Sequence, residues 1–190
     1  MAIPEAKKYT EEEYYAMGEG RFELINGYLV DMSPSPSRRH QRITRKLCIE
    51  ISNYIDSMNG KCELFITSDV KLDEGIIVIP DLYVACDPDN ANDQQFLGAP
   101  DWVIEIVSPS SISNDYYNKV NLYKDYGTKE YWIVDPIKNQ ITVHIWDGEL
   151  IDISHYRWDD DIPVYIYKDK TPPLTLNIAD MLGEMHPEEK

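Results

Sequence analysis

Long apolar runs are missing from this sequence: no stretch approaches the roughly 20 residues that a membrane-spanning helix needs. The first fifteen residues, MAIPEAKKYTEEEYY, lack the apolar centre of a signal peptide. Cytoplasmic localisation with no membrane attachment is the expectation that follows. Cysteine is scarce. Cys48, Cys62 and Cys86 are odd in number, lack CxxC spacing and have no histidines at zinc-ligand distances, which fits a reducing compartment. Basic residues are few as well. Eighteen against 34 acidic ones give a formal charge of -16, which disfavours binding that relies on diffuse attraction to phosphate. The exclusion weakens where cations cluster, because a ligand at close range responds to charges within a Debye length of roughly 8–10 Å.

What is present is globular in character. A hydrophobic content of 43% and a charged content of 27% sit near the averages for folded proteins. The 190 residues suit one core, so a single domain over 1–190 is expected, with its body at about 9–156 and a C-terminal strand and tail at 157–190.

Thr10 followed by Glu11, Glu12 and Glu13 predicts a capped helix through about Met17. Arg21 to Ile25, Asn26-Gly27 and Tyr28 to Met32 read as an N-terminal hairpin with a two-residue turn that demands positive φ. Two prolines between Ser33 and Ser37 mark a loop. A long helix follows, with Ile43, Leu47, Ile51, Tyr54 and Met58 on one stripe, Asn59-Gly60 at its end, and Arg38, Arg39, Arg42, Arg45 and Lys46 on its other faces. From Cys62 the period becomes two, giving strands at 64–66, 70–72, 76–79 and 82–86, then a polar connection over 87–100. Trp102 to Val107 is a further strand. A helix carrying Tyr116, Val120 and Tyr123 ends at Gly127, and three more strands span 130–135, 141–146 and 149–156. The whole pattern is α/β.

Trp102 to Val107 is apolar except for Glu105. Such a strand is ordinarily buried on both faces, so its carboxylate costs several kcal/mol unless it is paired, protonated or bound to a metal. Asp81 opens the neighbouring apolar strand, so the two acids could meet. Two carboxylates with open positions suit Mg²⁺, which keeps several waters and accepts phosphate oxygens.

Pro80-Asp81, Glu105 within WVIEIVSPSS, Lys119, and the run from Gly127 to Pro136 follow one another in a distinctive order. Together with Phe22 to Gly27 and His40 they resemble the Uma-type restriction endonuclease family of the PD-(D/E)XK superfamily, over most of residues 9 to 156. The resemblance implies a restriction-endonuclease-like fold, a mixed sheet flanked by helices. It also implies metal-dependent hydrolysis of DNA phosphodiester bonds, with Asp81 and Glu105 holding Mg²⁺ or Mn²⁺. The superfamily's usual lysine, two residues after the second acid, is Val107 here, and the family pattern gives its role to Lys119. Glu23 is similar to the family's first acidic position, which implies that it adds a ligand or positions a water.

Each residue also has a plainer explanation. Asp81 would cap a turn after proline, and Glu105 would be a buried acid bonded to a neighbour. Lys119 would pair with Asp115 four residues earlier, and Glu23, alternating with Phe22 and Leu24, would ordinarily face solvent. Arg38, Arg39, His40, Arg42 and Arg45 form the one local attractor for DNA phosphate visible in the sequence, though such helix faces are mostly just solvated. The 14 tyrosines and four tryptophans would serve a homodimer face, yet core packing explains them equally well. Strong acidity and Val107 favour one rival, a nuclease-fold interaction protein that no longer cuts; a second, a metal-dependent phosphoesterase acting on a small substrate, would suit the negative surface.

Overall fold

The computed structural model describes residues 7–18, 22–32 and 35–183. Arg21, the first part of the proline loop and the last residues of the tail lie outside them. Thr10 caps helix α1 (Glu11–Ala16) through a full capping box with Glu13. Strands β1 (Phe22–Ile25) and β2 (Tyr28–Asp31) form the expected hairpin, and Asn26 and Gly27 carry the positive φ angles of its turn, 54° and 82°. Helix α2 (Arg38–Met58) is capped by Ser37 and buries Ile43, Leu47, Ile51 and Ile55. Its stripe turns to Ile55, leaving Tyr54 and Met58 half-buried at the margin, and Asn59 takes the left-handed position at its end.

Strands β3 (Glu63–Ile66), β4 (Asp69–Asp73), β5 (Ile76–Val78) and β6 (Leu82–Ala85) follow. The connection at 87–100 contains a strand that the sequence did not announce, β7 (Gln95–Leu97). Its single core residue, Phe96, is too little for a periodic signal, and pairing with β4 holds it in place. Then come β8 (Trp102–Ile106), a π-helical turn at Asn114–Asn118 and helix α3 (Lys119–Tyr126). Strands β9 (Glu130–Asp135), β10 (Gln140–Asp147) and β11 (Leu150–Arg157) complete the expected series. The C-terminal part holds β12 (Ile162–Pro163), β13 (Thr175–Leu176) and a short helix α4 (Ile178–Leu182), more structure than the strand and tail expected there.

Two sheets carry the fold. One has the order β2-β1-β5-β4-β7, the other β11-β10-β9-β8-β6-β3, and β8–β9 and β4–β7 are parallel while the other pairs in them are antiparallel. Side-chain alternation sends Leu82, Val84, Trp102, Ile104 and Trp132 to the face covered by α2 and the C-terminal segment. It sends Tyr83, Val103, Val107, Tyr131 and Ile133 to the opposite face, against Val70, Val78 and Phe96 of the first sheet and Tyr123 of α3. Each such fully buried apolar side chain contributes about 1.5–3 kcal/mol. Glu105 lies in register between Val103 and Val107, so it enters this second, apolar layer.

Cys62 and Cys86 are joined as a disulfide. The antiparallel pairing of Glu63 with Ala85 brings them opposite each other, a relation their spacing in sequence does not reveal. The pairing removes the cysteine-based support for a reducing compartment. No helix among the described residues is long and apolar enough to cross a membrane.

Candidate active site

Glu105 is only 4% exposed. Its Oε1 accepts hydrogen bonds from Lys119 Nζ at 2.8 Å and from Tyr123 OH at 3.0 Å. Its Oε2 accepts none among the described residues. Lys119 is as deeply buried and also lies 2.7 Å from Glu23 Oε1. Glu23 in turn accepts from the backbone N–H of Ile79 at 3.0 Å.

Glu23 therefore faces inward, contrary to the alternation argument. Its strand is central, paired with β2 on one side and β5 on the other, and both of its faces are covered: Leu24 packs with Tyr14 and Ile77 while Glu23 meets Lys119. Lys119 departs from the plain reading too, since its ion pairs run to Glu23 and Glu105 and none is formed with Asp115.

Asp81 stands just ahead of β6. Its Oδ2 accepts from the backbone N–H of Ile106 at 2.8 Å and lies 3.0 Å from His40 Nε2, and its Oδ1 accepts no hydrogen bond among the described residues. His40 projects from the first turn of α2, where Thr44 Oγ1 lies 3.4 Å from its Nδ1 and donates to its carbonyl oxygen at 3.0 Å. The bond from Asp81 to the residue next to Glu105 ties the two acidic positions together. Both line one cavity of about 1320 Å³ with Glu23, His40, Asp115 and Lys119.

Asp115 is a member of this group that the sequence reading treated only as a partner for Lys119. It is 2% exposed and sits in the π-helical turn, where the N–H of Lys119 reaches back five residues to the carbonyl of Asn114. The signal that could have exposed it is an acid one residue before the apolar Tyr116 on a helix packed against the sheet.

Glu23, Glu105 and Asp115 thus act on one ammonium, and Asp81 acts on Glu105 and Asp115 beside it. Burial pushes the Glu105 carboxyl up to about 8, opposed by Lys119 and reinforced by Asp115, Asp81 and Glu23. Burial likewise raises Asp115 to about 6, against Lys119 and a hydrogen bond from Ser111. Burial alone would lower Lys119, but Glu105, Glu23 and Asp115 outweigh it and hold the ammonium well above its ordinary range. The excess negative charge needs protons or a cation. No group of three His, Cys, Asp or Glu side chains among the described residues is arranged to enclose a metal. The carboxylate oxygens left without a hydrogen-bond donor among the described residues are Asp81 Oδ1 and Glu105 Oε2, the ones that could hold a hard divalent ion keeping most of its waters.

The basic strip of α2 divides. Arg39 and Arg45 line the cavity; Arg39 also donates to Asn139 Oδ1 at 2.9 Å and lies over the Trp158 ring. Arg42 turns to the carbonyl of Leu182 on α4, and Arg38 is exposed without lining the cavity.

The chain is thus a fold of mixed sheets flanked by helices, with a buried acid cluster under one cavity. The crystal structure of "a putative nuclease belonging to DUF820" from Anabaena variabilis has a TM-score of 0.74 to this chain at 21% identity, covering 92% of this chain and 98% of that one. The chain belongs to the family described as "Uma2: Putative restriction endonuclease", whose sequence model matches residues 11–161. It is also 30% identical over 122 residues to "Uncharacterized protein slr1290" of Synechocystis sp., a match that takes in 63% of this chain. The chain spans about half, 54%, of that relative's length.

Proposed function

We propose that this chain hydrolyses DNA phosphodiester bonds with Mg²⁺ or Mn²⁺ held by Asp81 and Glu105. The observation that carries the reading is the unequal use of the Glu105 oxygens: one is taken by Lys119 and Tyr123, the other accepts no hydrogen bond among the described residues, and Glu105 lines a cavity with Asp81. When bound, the ion supplies Lewis-acid polarisation of the phosphate and a lowered pKa for a coordinated water.

The chain's own groups do the rest. Lys119 spends two of its three N–H donors on Glu23 and Glu105, and the third orients the attacking water. Glu23 holds the ammonium in place, and His40 fixes the rotamer of Asp81. Arg39 and Arg45 approach the DNA backbone from the cavity rim. The water oxygen bonds to phosphorus as one P–O ester bond breaks, and one proton of the water ends on the departing oxygen, leaving a phosphate monoester and a hydroxyl.

The charge of -16 favours one rival, a phosphoesterase acting on a small substrate. Plasmid and linear DNA incubated beside a small phosphodiester with Mg²⁺ separates the two. The expected result is cleavage of DNA that disappears in Asp81→Ala and Glu105→Ala; equal cleavage by these variants defeats the assignment.

A further inference from the structure

Both acids assigned to the metal use their two oxygens unequally, and in the same way. Glu105 Oε1 accepts from Lys119 Nζ at 2.8 Å and from Tyr123 OH at 3.0 Å. Asp81 Oδ2 accepts from the Ile106 N–H at 2.8 Å and faces His40 Nε2 at 3.0 Å, which must donate because a carboxylate only accepts. An ionised carboxyl oxygen has two lone pairs. On each acid one oxygen is therefore saturated, while the other receives no donor among the described residues.

A carboxylate held in this way reaches a cation through one oxygen only. Ca²⁺ gathers about six to eight oxygens and readily takes a carboxylate through both, whereas Mg²⁺ takes about six at octahedral positions and keeps several waters. Single-oxygen contacts are enough for the smaller ion.

Tyr123 is the donor that closes Glu105 to two-oxygen contact. Lys119 fills one lone pair of Oε1 and is shared with Glu23 Oε1 at 2.7 Å, so by itself it leaves the second lone pair open. The phenol fills it. Tyr123 stands four residues beyond Lys119 on the same face of α3, is fully buried, and packs its ring on Tyr131 with centroids 5.0 Å apart. Tyr131 is fixed in turn, donating its hydroxyl to the Asp115 carbonyl at 3.0 Å.

We propose that Tyr123 is a positioning residue that sets ion specificity: by saturating Glu105 Oε1 it confines that carboxylate to single-oxygen contact and biases the site towards Mg²⁺ over Ca²⁺. The proposal rests on Asp81 and Glu105 as the metal-holding pair and adds the residue that selects the ion. Tyr123 acts through Glu105 and touches no ion itself.

Titration calorimetry of the metal-free, full-length chain with Mg²⁺ and with Ca²⁺ tests it. The wild type should bind Mg²⁺ at least as tightly as Ca²⁺. Tyr123→Phe keeps the ring and should shift the affinity ratio about tenfold towards Ca²⁺, with an unchanged circular dichroism spectrum. Tyr131→Phe removes a buried hydroxyl from the same ring pair without reaching Glu105, so it should leave the ratio unchanged. A ratio indifferent to Tyr123→Phe, an equal shift in Tyr131→Phe, or a wild type that prefers Ca²⁺ overturns the proposal and leaves the metal pair standing. A wild type that binds neither ion overturns both.

Discussion

Glu23, from the N-terminal hairpin, and Lys119, from the start of α3, form a buried ion pair of 2.7 Å beneath the cavity. The same ammonium contacts Glu105, so one cation links the hairpin, the central strand and the helix. Removing it leaves carboxylates buried without a counter-charge, which typically costs about 3–5 kcal/mol.

Lys119→Met should therefore lower the melting temperature, and Mg²⁺ should restore more of it than it adds to the wild type, because the ion replaces the missing positive charge. Cleavage should fall by about 100-fold or more even with metal saturating, since the group that orients the water is gone. Scanning calorimetry with and without Mg²⁺, alongside single-turnover cleavage, checks both outcomes. Unchanged cleavage removes Lys119 from the chemistry.

In the proposed mechanism His40, 3.0 Å from Asp81 Oδ2, acts through Asp81 as a positioning residue. His40→Ala should weaken Mg²⁺ binding by about tenfold, as loss of a group that orients a metal ligand commonly does, while cleavage at saturating metal recovers most of its rate. His40→Gln, which can still donate to Asp81 Oδ2, should restore much of the affinity. Titration calorimetry reads the difference directly.

Much of this arrangement is legible from the residues alone. An acid inside Trp102 to Val107 has few explanations, and the capping box at Thr10, the Asn26-Gly27 turn and the stripe on α2 all carry strong local chemistry. Glu23 was harder to place, because alternation reveals two faces of a strand but not that both are covered. β7 and α4 escaped for a different reason: each is short and held by its neighbours, so its own residues carry no sustained period. The Cys62–Cys86 pairing likewise depends on strand register.

Glu130 ties the C-terminal segment to β9. Its carboxylate accepts from the Tyr165 and Ile166 backbone N–H groups and from Trp132 Nε1. Glu130→Ala strands these donors in the interior and should cost about 3 kcal/mol or more. Denaturant unfolding gives the magnitude, and faster amide exchange at residues 165 and 166 identifies the cause.

His144, enclosed between Tyr131 and Trp146, has its pKa pushed down to about 4 by burial, with a smaller contribution from His155. The unfolded chain takes up this proton near pH 6.5 and the folded chain only near pH 4. The neutral ring's contribution to stability is thus complete above about pH 6.5 and is lost as pH falls towards 4. His144→Phe should remove that part of the acid sensitivity, seen as a flatter melting temperature across this window.

Divalent-ion binding to the metal-free protein goes to the heart of the matter. Calorimetric titration with Mn²⁺ should reveal saturable binding that vanishes in the Asp81→Asn/Glu105→Gln double variant while its fold, monitored by circular dichroism, is retained. Equal binding by the folded double variant, or no saturable binding by the wild type, contradicts the assignment of these two acids as the metal-holding pair.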